Sequence, residues 1–181
     1  MRRYMARCRV VFCDGTFDSR PNAPQCAQVL QIVGVVGNSA IPLAQIPMTG
    51  KTQAEYVAAL TRLRQLVPRF RPNLVVTDFE LGLQNAWRQV FNTHVSGCYW
   101  HFCRAVSWAA KHDLGLYRLL RINRIARSIV RASLAIPLLP HNLMARGLRT
   151  LIIEAHRAGL LDDLAAFFNY WIDTWMSPAY L

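Results

Sequence analysis

Two short β-branched runs in this chain end in aspartate. Asp14 closes Arg9–Val10–Val11–Phe12–Cys13, and Asp78 closes Leu74–Val75–Val76–Thr77. A carboxylate at the C-terminal end of a buried strand has to be satisfied, which constrains both the fold and the chemistry. Each Asp taken alone can cap the turn or helix that follows it. Taken as a pair, in a chain of net charge +11, they are better matched by a divalent cation. Magnesium prefers hard oxygen ligands, and carboxylates on neighbouring strands can hold one or two such ions against a phosphate.

The first half of the chain is strand-rich. Cys8 to Cys13 is the expected first strand, and a turn-rich stretch follows through Gly15, Ser19, Pro21, Asn22 and Pro24. Cys26 to Val36 is a long apolar segment ending at Gly37–Asn38, a hairpin turn signal. Ala40 to Pro47 returns as a third strand, and Pro42 and Pro47 mark it as an edge. The period changes at Thr52. Tyr56, Ala59, Leu60, Leu63 and Val67 follow helical spacing, and Thr52 with Glu55 forms a capping box. Pro68 and Pro72 stop this helix. Leu74 to Thr77 is a fourth strand, Leu81 to Val90 a second helix, and Val95 to Tyr99 a short fifth strand.

Beyond Phe102 the pattern is helical almost throughout. Helices are expected over Phe102 to His112, Leu116 to Ala135, His141 to Ala158 and Leu161 to Trp175, with Gly115 and Gly159 ending two of them. The composition shift near Leu114 divides a core of residues 7–113 from a helical subdomain of residues 114–181.

Of the 21 basic residues all but Lys51 and Lys111 are Arg, whose rigid fork suits phosphate oxygens. A polyanion is therefore the expected partner, with nucleic acid ahead of a membrane surface. No run of about 18 apolar residues occurs, and Met1–Arg2–Arg3–Tyr4–Met5 is followed by no apolar h-region, so neither a membrane span nor a signal peptide is expected. Five cysteines, an odd number, argue against a disulfide framework. Arg118, Arg121, Arg124, Arg127 and Arg131 recur at three- and four-residue steps along one expected helix. With no acid between them they repel one another, which favours a phosphate ligand over an ordinary solvated face. The aromatic group Phe167, Phe168, Tyr170, Trp171 and Trp175 reads as core ahead of a base-stacking platform.

An order of β-β-β-α-β-α-β-α with acids ending the first and fourth strands is the ribonuclease-H-like plan, an α/β fold with a mixed sheet. In that plan the first and fourth strands lie side by side and parallel, about 4.8 Å apart. The residues go further. Asp14–Gly15–Thr16–Phe17, then Pro47, Lys51 and Tyr56, resemble the Mutator-like-element (MULE) transposase domain. Thr77–Asp78–Phe79–Glu80 with Ala86 resembles its second acidic block, and Gly97–Cys98–Tyr99–Trp100–His101–Phe102 resembles its Cys-x-x-His element. Leu138–Leu139–Pro140 and Phe168 to Thr174 look like its helical insertion.

The resemblance implies a metal-dependent enzyme of the DDE superfamily that cuts and joins DNA in the nucleus. It implies Asp14 and Asp78 as catalytic acids binding Mg²⁺ or Mn²⁺, with His101 beside them as a further catalytic residue. The Arg row is then expected on DNA, and a second copy of the chain is a further expected partner. The family's third acid is a Glu beyond the insertion, in a Thr-Asn-Asn…Glu pattern that this sequence lacks. Glu154, the only glutamate after Glu80, lacks the paired asparagines. The expectation is that the chain stops before the third acid. Cys98 and His101 could be half of a zinc site, but zinc takes four ligands and no matching pair stands out. A buried Cys and an orienting His is the simpler reading. The rival function is a catalytically inactive, domesticated DNA-binding or scaffold protein. A host ribonuclease or exonuclease would need more clustered acids than the sequence supplies.

Overall fold

The computed structural model of the chain describes residues 1–16, 21 and 26–176. Phe17, Ser19, Asn22 and Pro24, named above in the first acidic block and the turn-rich stretch, lie outside the described residues. The chain forms two compact units, Met1–His101 and Phe102–Leu181.

The first unit is a mixed α/β structure. A short helix α1 (Arg2–Met5) precedes β1 (Val10–Thr16), β2 (Gln28–Val36) and β3 (Ser39–Met48). Then come α2 (Gln53–Leu66), β4 (Leu74–Thr77), α3 (Leu81–Phe91) and β5 (His94–Gly97), and α4 (Tyr99–Trp108) begins. The five strands form one sheet in the order β3-β2-β1-β4-β5. β1 to β3 pair antiparallel, while β4 pairs parallel with both β1 and β5. Pro42 and Pro47 are tolerated because β3 is an edge strand, and a bulge lies at Ile32/Val33 opposite.

Burial alternates along the strands. Val11 and Cys13 of β1, Leu30 and Ile32 of β2, and Val75 of β4 pack with Tyr56, Leu60 and Leu63 of α2 and Leu83, Ala86 and Trp87 of α3. This is the side-chain period of two meeting a helical stripe. The capping box is present: Glu55 N–H donates to Thr52 Oγ1 at 3.3 Å, and Thr52 N–H donates to Glu55 Oε2 at 2.9 Å.

β1 extends past its expected end at Cys13. Its antiparallel partner continues, with Gln31, Leu30 and Val29 opposite Asp14, Gly15 and Thr16. Only the parallel partner stops, at the pair Cys13–Thr77. β5 ends two residues earlier than expected: the Cys98 N–H to Thr77 O bond of 2.6 Å is its last ladder bond, beside the final pair Thr77–Gly97, and a helix starts at Tyr99.

In the second unit α4 widens into a π-helical turn, Ala109–Asp113. α5 (Tyr117–Ile122) and α6 (Arg124–Ser133) follow, where one helix over Leu116 to Ala135 was expected. Asn123 makes the break: its Oδ1 accepts from Ile125 N–H at 2.9 Å and Ala126 N–H at 3.0 Å, as an N-cap does. A 3₁₀ turn at Ile136–Leu138 leads to α7 (His141–Arg157) and α8 (Leu161–Tyr170). Gly115 and Gly159 end their helices at φ +66 and +68, a backbone region that suits glycine. Phe167, Phe168, Trp171 and Trp175 are buried as expected, and Phe102 packs edge-on against both tryptophans.

Candidate active site

The parallel register of β1 and β4 sets the site. Cys13 lies level with Thr77, so Asp14, still within β1, and Asp78, the first residue beyond β4, lie at the same level on adjacent strands. Cys13 and Thr77 point into the core, and alternation turns the two aspartates to the opposite face. Asp14 is more than half exposed at 55%. Asp78 is half-buried, and its carboxyl is raised from the usual range, first by burial and then by the charge of Asp14. The Glu80 N–H donating to Asp78 Oδ1 at 3.2 Å, His101 and Lys51 act in the other direction.

The turn that carries Asp78 is held from behind. Gln84, buried on α3, donates from Nε2 to Asp78 O at 2.9 Å, and Arg88 donates to Gln84 Oε1 at 3.3 Å. Beneath the carboxylates the Cys13 thiol is pushed up to about 12, chiefly by burial. It is a packing group and not a nucleophile.

His101, in the first turn of α4, places Nε2 3.7 Å from Asp14 Oδ2. That is longer than a hydrogen bond and is a charge contact when the ring is protonated. Its Nδ1 is buried with no hydrogen-bond partner among the described residues. The structure thus brings Asp14, Asp78 and His101 together.

Sequence reasoning gave no role to a chain of polar groups beside Asp78. Gln28, 1% exposed, donates from Nε2 to Tyr56 Oη at 2.6 Å and to Gly50 O at 3.3 Å. Tyr56 Oη donates to Glu80 Oε2 at 3.0 Å. Burial, followed in size by this hydrogen bond acting downward and the Asp78 charge acting upward, raises the Glu80 carboxyl. The Tyr56 phenol is raised as well, mostly by burial. Gly15 makes room for the chain, since a Cβ there would collide with Gln28 Oε1. The signal available in sequence was a pair of glutamines, Gln28 and Gln31, in an otherwise apolar strand, two strands away from an Asp-x-Glu pair.

Family comparison agrees with this geometry. The family profile described as MULE transposase domain matches residues 10–105, more than half of the chain. The chain belongs to the MULE transposase domain family. The match takes in both aspartates, the Gln28–Tyr56–Glu80 chain and His101. No curated protein matches the chain.

As donors for the divalent ion that MULE transposases use, Asp14 and Asp78 are hard, adjacent and incompletely neutralised. Among the described residues no group of three or more His, Cys, Asp or Glu gathers as a metal site. Two carboxylates are still a fitting set for magnesium, which usually keeps several waters and takes substrate phosphates beside one or two carboxylates. For zinc they are not, and Cys98 with His101 gains no further ligands among the described residues.

The remaining residues lie in the second unit. Glu154 is exposed on α7, 4.0 Å from Arg157. The Arg row is divided by Asn123, with Arg118 and Arg121 on α5 and Arg124, Arg127 and Arg131 on α6. Arg121, Arg127 and Arg131 nonetheless line one hollow of about 440 Å³ with Lys111, Tyr117 and Leu120, while Arg118 is not part of it. No helix among the described residues is long and apolar enough to cross a membrane.

Proposed function

We propose that this MULE domain is the catalytic core of a DNA transposase on a ribonuclease-H-like fold, cleaving a DNA strand and joining the freed end to a target. The observation that carries the reading is the parallel β1–β4 register, which sets Asp14 and Asp78 level on neighbouring strands, just past the last β1–β4 pair, Cys13–Thr77. Asp14 and Asp78 would hold the magnesium or manganese ion. When bound, that ion would polarise the scissile phosphate and activate the oxygen nucleophile, a water for cleavage and the 3′-hydroxyl of the freed DNA end for transfer. The chain's own residues do the positioning. Glu80 N–H, Gln84 and Arg88 fix the Asp78 turn, and His101 stands on the open side of Asp14 to meet an incoming phosphate. Lys51 offsets the charge of Asp78 and Glu80. The Arg side chains of α5 and α6 hold the DNA backbone, in a protein that works in the nucleus as a dimer.

A plasmid-nicking assay in Mg²⁺ and in Mn²⁺ tests this. Asp14→Asn and Asp78→Asn should each abolish nicking and leave salt-sensitive duplex binding in place. An Asp14→Asn protein that nicks like the parent would overturn the assignment. A second reading, a domesticated DNA-binding or scaffold protein without catalysis, is favoured by the two-carboxylate site with no third acid gathered among the described residues. Duplex binding by the parent with no nicking in either metal would select it.

A further inference from the structure

The first unit has two electrostatic poles. Every carboxylate described in it lies where β1, β4 and β5 end: Asp14, Asp78, Glu80 and, in the first turn of α2, Glu55. Most of its arginines lie at the opposite end. Arg3 and Arg7 sit in and just after α1, Arg9 precedes β1, Arg64 is in the last turn of α2, and Arg69 and Arg71 precede β4. Along β1 the two poles are separated by the four steps from Val10 to Asp14, about 13 Å of strand.

The arginine pole is concave. A hollow of about 560 Å³ is lined by Arg3, Arg7 and Arg69 with Leu66, Val67 and Pro68. A second, of about 440 Å³, is lined by Arg64, Gln65, Pro68 and Arg71. The two meet at Pro68, and among the described residues neither has a carboxylate in its wall. Local structure explains part of this set. Arg64 donates to Val90 O in the last turn of α3 at 2.5 Å, where a cation offsets the helix dipole. Arg9 reaches the Arg71 carbonyl at 3.5 Å. Arg3, Arg7 and Arg69 have no such assignment and form no ion pair among the described residues. Three guanidinium groups around one hollow repel each other unless an anion lies between them, and the guanidinium fork matches phosphate oxygens.

We propose that this arginine pole is a second DNA-binding surface, holding the backbone of a duplex segment other than the one presented to Asp14 and Asp78. The choice of DNA among polyanions rests on the transposase reading. The separation of the poles rests on the fold alone. An enzyme that joins one DNA to another has to hold both, and two poles at opposite strand ends do so without crowding two polyanions at one site.

The full chain and its Arg3→Gln/Arg7→Gln/Arg69→Gln variant are titrated with duplex DNA at several salt concentrations. Three lost phosphate contacts should flatten the slope of log affinity against log salt by about 2.7. Bead-tethered duplex loaded with the parent should capture a second, labelled duplex, and the variant should lose that capture. A photo-crosslinking phenylalanine analogue at Leu66, which is 44% exposed in the hollow, should crosslink to duplex in an otherwise unchanged chain, which decides the matter if the triple variant does not fold. An unchanged slope, retained second capture, or no crosslink at saturating duplex would overturn the proposal. None of these readouts needs cleavage. Absent nicking therefore counts against the proposed function alone, and an unchanged slope counts against the second surface alone.

Discussion

Tyr56 donates its hydroxyl hydrogen to Glu80 across 3.0 Å, from a side chain with no exposure to solvent. The same oxygen accepts from Gln28 at 2.6 Å, so one buried phenol ties the second strand to the acidic turn after β4. Glu80 thereby becomes a fixed neighbour of Asp78, and the site is stiffened from below without adding a ligand.

Tyr56→Phe removes that oxygen and keeps the ring. Gln28 Nε2 then loses its nearer acceptor in a buried site, and Glu80 loses a donor. We expect a loss of about 1–3 kcal/mol in urea unfolding. Because the hydrogen bond lowers the Glu80 carboxyl, its removal should move that titration upward by NMR. An unshifted Glu80 resonance would show that the contact does not act on the carboxylate.

Asp78→Asn should stabilise the metal-free protein. The folded-state carboxyl of Asp78 is raised above its ordinary 3.8, so its ionisation costs folding free energy as pH rises through the folded value. Below the ordinary value both states are protonated and the cost vanishes. At pH 7 the variant should therefore be the more stable of the two in urea unfolding. The gap should close on acidification towards pH 3.8. Magnesium at a hundred times its Kd should raise the parent's stability by about 2.7 kcal/mol and leave the variant's melting curve in place. A parent indifferent to magnesium would remove the ion from the site.

The strand–helix order and the two aspartates could be read from the sequence because each rests on a local signal: a β-branched run, a capping box, a Pro that stops a helix. The extension of β1 to Thr16 could not, since it depends on β2 outlasting β4 as a partner. The same holds for Gln28 and Glu80, which look unrelated until Tyr56 joins them across 52 positions of chain from Gln28 to Glu80. The break at Asn123 was visible in principle. Asn is a strong N-cap, but the Arg and Ile periodicity runs straight through it and suggests one helix. The arginine pole is assembled from α1, α2 and the β4 approach, so no window of sequence contains it.

Gly15→Ala tests how tightly the polar chain is seated. The added methyl group would meet Gln28 Oε1, and a buried glutamine held by Tyr56 and Gly50 has little room to withdraw. Overpacking of this kind costs about 1–3 kcal/mol. The loss should shrink in the Gly15→Ala/Gln28→Ala double variant, where the obstructing side chain is gone. Equal losses with and without Gln28 would mean that the glycine serves the backbone and not the contact.

The division of the Arg row at Asn123 changes which arginines should act together on DNA. Arg121 from α5 and Arg127 and Arg131 from α6 line one hollow with Lys111, so they can meet a single stretch of backbone although they occupy two helices. Arg118 precedes the break and lies outside that hollow. Each phosphate contact contributes about 0.9 to the salt slope on duplex DNA. Arg121→Gln, Arg127→Gln and Arg131→Gln combined should therefore flatten the slope by about 2.7, whereas Arg118→Gln should leave it unchanged within error. Both proteins should melt like the parent, because Arg118, Arg121 and Arg131 are exposed and Arg127 is only half-buried. If Arg118→Gln flattened the slope by as much as any one of the three, the arginines would be acting as one even charged face, and the hollow would have no special part in holding DNA.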